Sequence, residues 1–168
     1  MKNRSRSLNL LLFLGCSGLL AIGLYLEHAM GLEPCPLCIV QRIAFILIGL
    51  VALLAFLQAP KERGAKVYAG FILFFACLGG ATAGRQIWLQ TLPADQLPAC
   101  LPSLEYMLEA FPFQDIVRAV LHGTADCAEV TWTFLTLSIP EWSLLAFLGC
   151  AAVALRQLLK RRRDWRLM

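Results

Sequence analysis

Pro34-Cys35-Pro36-Leu37-Cys38-Ile39-Val40-Gln41-Arg42 leads directly into the uncharged run 43–58, and this junction decides the architecture. A C-x-x-C dithiol stands at the mouth of an apolar segment that borrows 37–41 to reach membrane-crossing length. Three further stretches, 8–26, 67–84 and 142–159, are nearly free of charge. Crossing about 30 Å of hydrocarbon takes roughly 20 helical residues. Only a structure that satisfies its own backbone hydrogen bonds survives there, so all four stretches are read as helices. The composition agrees: 59% of residues are hydrophobic and 15% are charged. The expected fold is an all-α membrane protein. Residues 1–168 form one four-helix bundle, with outer loops at about 27–42 and 85–141 and a short amphipathic helix in the second loop.

Basic residues orient the spans. Lys2, Arg4 and Arg6 precede the first span, Lys61, Arg63 and Lys66 link the second and third, and Arg156 with the Lys160–Arg166 tail follows the fourth. Of the 15 basic residues, only Arg42, Arg85 and Arg118 fall on the other side. Both termini are therefore expected in the cytoplasm, with the cysteine-bearing loops outside. The +4 net charge follows this topology. A basic face interleaved with aromatics, as nucleic-acid binding requires, is absent from the pattern. A basic start and an apolar run also describe a secretory leader. Here the run continues past the small-residue site Ala21-Ile22-Gly23, and Phe13-Leu14 suits a lipoprotein site at Cys16 poorly, so a span is the better reading.

Seven cysteines occur. Cys16, Cys77 and Cys150 lie within spans and are read as packing residues. Two outer pairs remain, Cys35/Cys38 and Cys100/Cys127. Pro93, Pro98 and Pro102 break regular structure around Cys100. Beyond Pro112, the apolar residues Phe113, Ile116, Val117, Val120 and Leu121 recur at helical spacing, ending at Gly123. This predicts a helix lying in the membrane interface. Cys127 follows in a polar, turn-rich stretch. Trp88, Trp132, Trp142 and Tyr25 are placed as interfacial anchors. His28 and His122 read as surface histidines.

The thiolate is the reactive form of cysteine. Pro36 suits the first position of a helix, which puts Cys35 near the N-cap and Cys38 in the first turn, facing free backbone N–H groups and the positive end of the helix dipole. Arg42 follows Cys38 at i+4, so it can share a helix face with that sulfur and stabilise a thiolate or an anionic ligand oxygen. Snorkelling of Arg42 to headgroups is the plainer reading. For the C-x-x-C the plainer reading is half of a zinc site, and for Cys100/Cys127 a static staple.

Taken together, these residues resemble the DsbB family of bacterial inner-membrane disulfide oxidases. The resemblance runs through Leu24-Tyr25-Leu26-Glu27-His28, Pro34–Cys38 with Gln41-Arg42, Gly84-Arg85-Gln86-Ile87-Trp88-Leu89-Gln90, Asp126-Cys127-Ala128-Glu129 and Ile139-Pro140-Glu141-Trp142. It implies an enzyme that reoxidises the periplasmic dithiol oxidase DsbA and passes the electrons to membrane quinone, ubiquinone or menaquinone. It further implies that Cys100 forms the mixed disulfide with DsbA and that Cys127 is its loop partner. Cys35 then relays electrons between the loops, Cys38 meets the quinone, and Arg42 assists there. Some relatives carry histidine where this chain has Gln86, whose amide can still donate a hydrogen bond to a quinone oxygen. Alternative functions are a related oxidase serving another periplasmic dithiol, and a non-enzymatic scaffold with structural zinc or static disulfides.

Overall fold

A computed structural model of the protein describes residues 2–31, 34–93, 112, 114, 125–128 and 132–159. Its long helices are α1 (Lys2–Met30), α2 (Pro36–Gln58), α3 (Glu62–Gln90) and, last in the chain, α5 (Ile139–Leu159). Between α3 and α5 come a one-turn helix, α4 (Ala125–Ala128), and a small hairpin of β1 (Thr133–Phe134) and β2 (Leu137–Ser138). Each long helix contains one expected span, and all four are long and apolar enough to cross a bilayer. The chain is a multi-pass integral membrane protein. The interfacial stripe from Phe113 to Leu121 lies outside the described residues, as does Cys100.

Local chemistry sets the ends of the helices. Gly31 takes a left-handed φ of 66°, which closes α1 well beyond residue 26. Cys35 caps α2 in extended conformation, with Pro36 opening the helix. Ala59 ends α2 at φ 41°, its N–H bonded to Ala55 O at 3.2 Å, and Pro60 follows. At the start of α5, Glu141 accepts hydrogen bonds from the backbone N–H of Ser138 at 2.6 Å and from its hydroxyl at 2.8 Å, half of a capping box.

The hairpin departs from the all-α expectation. Its strands pair antiparallel, Thr133 with Ser138 and Phe134 with Leu137. Leu135 and Thr136 both take positive φ, 51° and 69°, as a tight two-residue hairpin requires. Leu-Thr lacks the Asn-Gly or Asp-Gly signal that normally marks such a turn, so the sequence hides it. Tertiary contacts hold it instead: Trp142 donates its indole N–H to Phe134 O at 3.1 Å, and Trp132 stacks on Phe134 with ring centroids 5.9 Å apart.

Within the bundle, α3 packs on α2 and α5, α2 packs on α1, and α1 barely meets α5. The buried faces are built largely from small residues, Ala44, Ala52, Ala76, Ala83 and Ala154 among them, which lets backbones approach closely in lipid. Phe45 and Phe147 stack at 4.1 Å in the core. Phe147 lies against the bare backbone of Gly79, where an added Cβ would come within 2.2 Å of the ring. Leucine, isoleucine and phenylalanine cover the outer faces, as lipid contact demands. One packing expectation needs correcting. Cys16 and Cys150 are buried, but Cys77 is exposed on the outer face of α3, because its register points it away from α2 and α5.

Candidate functional site

At one end of the bundle the cap of α2 sets two sulfurs side by side. Cys35, outside the helix, and Cys38, in its first turn, have Sγ atoms 3.0 Å apart. The Cys38 backbone N–H points at Cys35 Sγ at 3.4 Å, so the helix terminus spends that donor on the first sulfur. A third sulfur comes from far along the chain. Cys127, on α4, is fully buried with Leu37 of α2 and Leu89 of α3, and Cys35 packs against this cluster. The Cys127 thiol bonds to that of Cys35. That contact, then the one to Cys38, then burial hold the Cys35 thiol well above its usual range. The sequence placed Cys127 on a polar, turn-rich stretch. The fold buries it instead, because α4 docks on α3 and α2.

Gln86 reaches the same point from α3. Its amide nitrogen donates to Cys38 Sγ at 3.3 Å and to Cys35 Sγ at 3.4 Å. Its oxygen accepts from Gln41 Nε2 at 2.8 Å. Arg42 behaves differently from the sequence expectation. Its guanidinium crosses to α1, where it pairs with the Glu27 carboxylate and donates to Gly23 O at 3.2 Å. Sharing a helix face with Cys38 is therefore not sharing a hydrogen bond: the longer reach toward α1 offers an anionic partner. Cys38, Gln86 and Arg42 meet at a cavity of about 360 Å³.

A sequence model of the family described as disulfide bond formation protein DsbB matches residues 5–157. The chain is 64% identical to disulfide bond formation protein B of Stutzerimonas stutzeri (strain A1501), over 93% of this chain and 96% of the relative. It is 59% identical to disulfide bond formation protein B 1 of Pseudomonas aeruginosa PAO1, with the same coverage. With the protein of that name from Hahella chejuensis it shares 57% identity, over 89% of this chain and 90% of the relative.

The chain belongs to the DsbB family. It is a membrane-embedded disulfide oxidoreductase, an enzyme of the quinone-dependent class that this family comprises.

The cavity has the build of a small-molecule site. Its volume lies within the range of small-molecule sites. One wall is polar, with Cys38, Arg42 and Gln86, and the other is apolar or aromatic, with Leu20, Phe45 and Phe134. Two contributors were not legible as site residues in the sequence. Gln41 lies three residues after Cys38 on the same helix face, a spacing that marks it as a neighbour but not as a partner of Gln86. The hairpin aromatics join the wall only through a turn with no sequence signal.

Proposed function

We propose that this DsbB protein reoxidises a DsbA-type periplasmic dithiol oxidase and delivers the electrons to membrane quinone. In this reading it resides in the bacterial inner membrane, with both termini cytoplasmic and the cysteine loops periplasmic. Residues 1–168 act as one membrane domain. The observation that carries the reading is the placement of Cys127 against Cys35, with Cys38 beside Cys35 and at the wall of the cavity. Electrons thus have a continuous sulfur path from the second loop to the membrane.

Cys100 is assigned the attack point for the partner's thiolate. That thiolate forms a mixed disulfide with Cys100 and releases Cys127. The partner's second thiol then resolves the mixed disulfide, leaving the partner oxidised and Cys100 and Cys127 reduced. Cys127 lies where it can exchange with Cys35, each exchange breaking one S–S bond as another forms. The proton of Cys35 has an acceptor 3.0 Å away in Cys38 Sγ, so the pair places its negative charge on Cys38. Quinone, when bound, supplies a two-electron, two-proton acceptor, and Cys35 and Cys38 return to a disulfide. Arg42, anchored by Glu27 and Gly23 O, is assigned to orient the head group, with Gln86 at the sulfurs.

The energetics require such an acceptor. The DsbA–DsbB–quinone relay is an established pathway, in which DsbA sits at about −120 mV. A static structural disulfide below about −300 mV would face a gap of roughly 8 kcal/mol uphill in oxidising it.

Cys35→Ser or Cys38→Ser is expected to abolish quinone reduction by reduced DsbA, and Cys100→Ser to prevent trapping of a mixed disulfide. Full turnover in any of these variants removes the proposal. Quinone reduction that DsbA barely stimulates would point to another periplasmic dithiol as the partner. Running the assay with ubiquinone and with menaquinone identifies the acceptor.

A further inference from the structure

Two buried side-chain amides next to the dithiol have a role that the sulfur relay does not use. Gln41 and Gln86 retain only 3% and 4% exposure, and among the described residues their polar contacts are with each other and with the two sulfurs. Gln41 Nε2 donates to Gln86 Oε1 at 2.8 Å, and Gln86 Nε2 faces Cys38 Sγ at 3.3 Å and Cys35 Sγ at 3.4 Å. The Gln86 oxygen also accepts from the Cys38 thiol, over a longer 3.6 Å.

We propose that Gln41 is a positioning residue: by occupying the oxygen of the Gln86 amide, it turns the NH₂ end onto the dithiol and so favours the thiolate form of Cys38. An amide has two ends of nearly the same shape. A protonated thiol is best met by the oxygen, a thiolate by the NH₂ group. Alone, Gln86 would follow whichever form is present. With Gln41 donating to its oxygen, reversal of Gln86 alone would set one NH₂ against another and leave buried polar groups unpaired, which costs about 1–3 kcal/mol. The lock acts through dipoles only, and neither glutamine takes up a proton.

Among the described residues, the other ionisable groups around Cys38 are few. Cys35 at the cap of α2 and Cys127 on α4 face it. The Arg42–Glu27 pair, from α2 and α1, closes on itself across the cavity. Glu141 of α5 is engaged by Ser138. On α3, the neutral Gln86 is the group that meets the sulfur.

The catalytic consequence rests on the reading of Cys38 as the quinone-facing sulfur, but the ionisation itself does not. The test uses the full-length reduced protein in detergent, anaerobic and free of quinone. Thiolate at Cys38 is followed by ultraviolet absorbance and by the rate of its alkylation, across pH, in Gln41→Met, Gln86→Met and the double variant. Each single change is expected to reduce the thiolate fraction at a fixed near-neutral pH about tenfold, the worth of a hydrogen bond to a charged group. The double variant is expected to match Gln86→Met, since Gln41 acts through Gln86. An unchanged pH profile in Gln41→Met, or additive losses in the double, overturns the proposal. If Gln41→Met does not fold, Gln41→Leu removes the same donor without adding a charge, and undiminished thiolate there is equally fatal. A wild-type protein that fails to reduce quinone yet shows the non-additive loss would refute the functional reading and leave this one standing.

Discussion

Cys35 and Cys38 are chemically the same residue, three positions apart, yet the fold gives them different work. Cys35 is packed against Cys127 and Leu37, and the Cys127 contact is the foremost cause holding its thiol protonated. A thiol held above its ordinary value of about 8.5 ionises only at higher pH. Alkylation of Cys35 in the reduced protein is therefore expected to rise at a pH above that of an ordinary thiol. In Cys127→Ala, which removes the neighbour and loosens the packing, the curve moves back down. Site-resolved mass spectrometry after iodoacetamide pulses at graded pH measures both curves, and coincident curves would contradict the contact. Arg42 teaches a related point. Its i+4 spacing from Cys38 is visible in the sequence, but its partner is not, because Glu27 is fifteen positions earlier and reaches it only when α1 and α2 lie side by side.

At the scale of elements, α2, α3 and α5 meet where Phe147 stacks on Phe45 and presses on Gly79. Lipid provides no hydrophobic drive to push helices together, so close packing carries the association. A Cβ at position 79 would overlap the ring, and overpacking of this kind costs about 1–3 kcal/mol. Gly79→Ala is expected to lower the thermal midpoint in detergent. Gly79→Ala combined with Phe147→Leu is expected to lose less than the two single effects added together, since the ring that clashes is gone. Additive losses would show that the two residues do not share the contact. The hairpin between α4 and α5 is the opposite case: a tertiary hydrogen bond from Trp142 and stacking by Trp132 hold a turn that its own residues disfavour.

For the whole molecule, the decisive property is sidedness. Excess Lys and Arg at the N-terminus, the α2–α3 link and the tail are expected to put these segments on the cytoplasmic face and the dithiol end on the other. In a background without reactive cysteines, Ser5→Cys is expected to react with a membrane-impermeant maleimide only after permeabilisation. Pro112→Cys is expected to react in intact cells stripped of their outer membrane. Equal labelling of both, or the reverse order, would separate the sulfurs from the proposed periplasmic partner. The sequence alone determined the four spans, their expected orientation and the capping of α2 by Cys35-Pro36, because hydropathy, charge bias and helix-end chemistry are local. Only the tertiary structure decided that Cys127 is buried against Cys35, that Gln41 holds Gln86, that Arg42 belongs to Glu27, and that Phe134 walls the cavity. Each of these joins residues on different elements, and such distances exist only once the helices have packed.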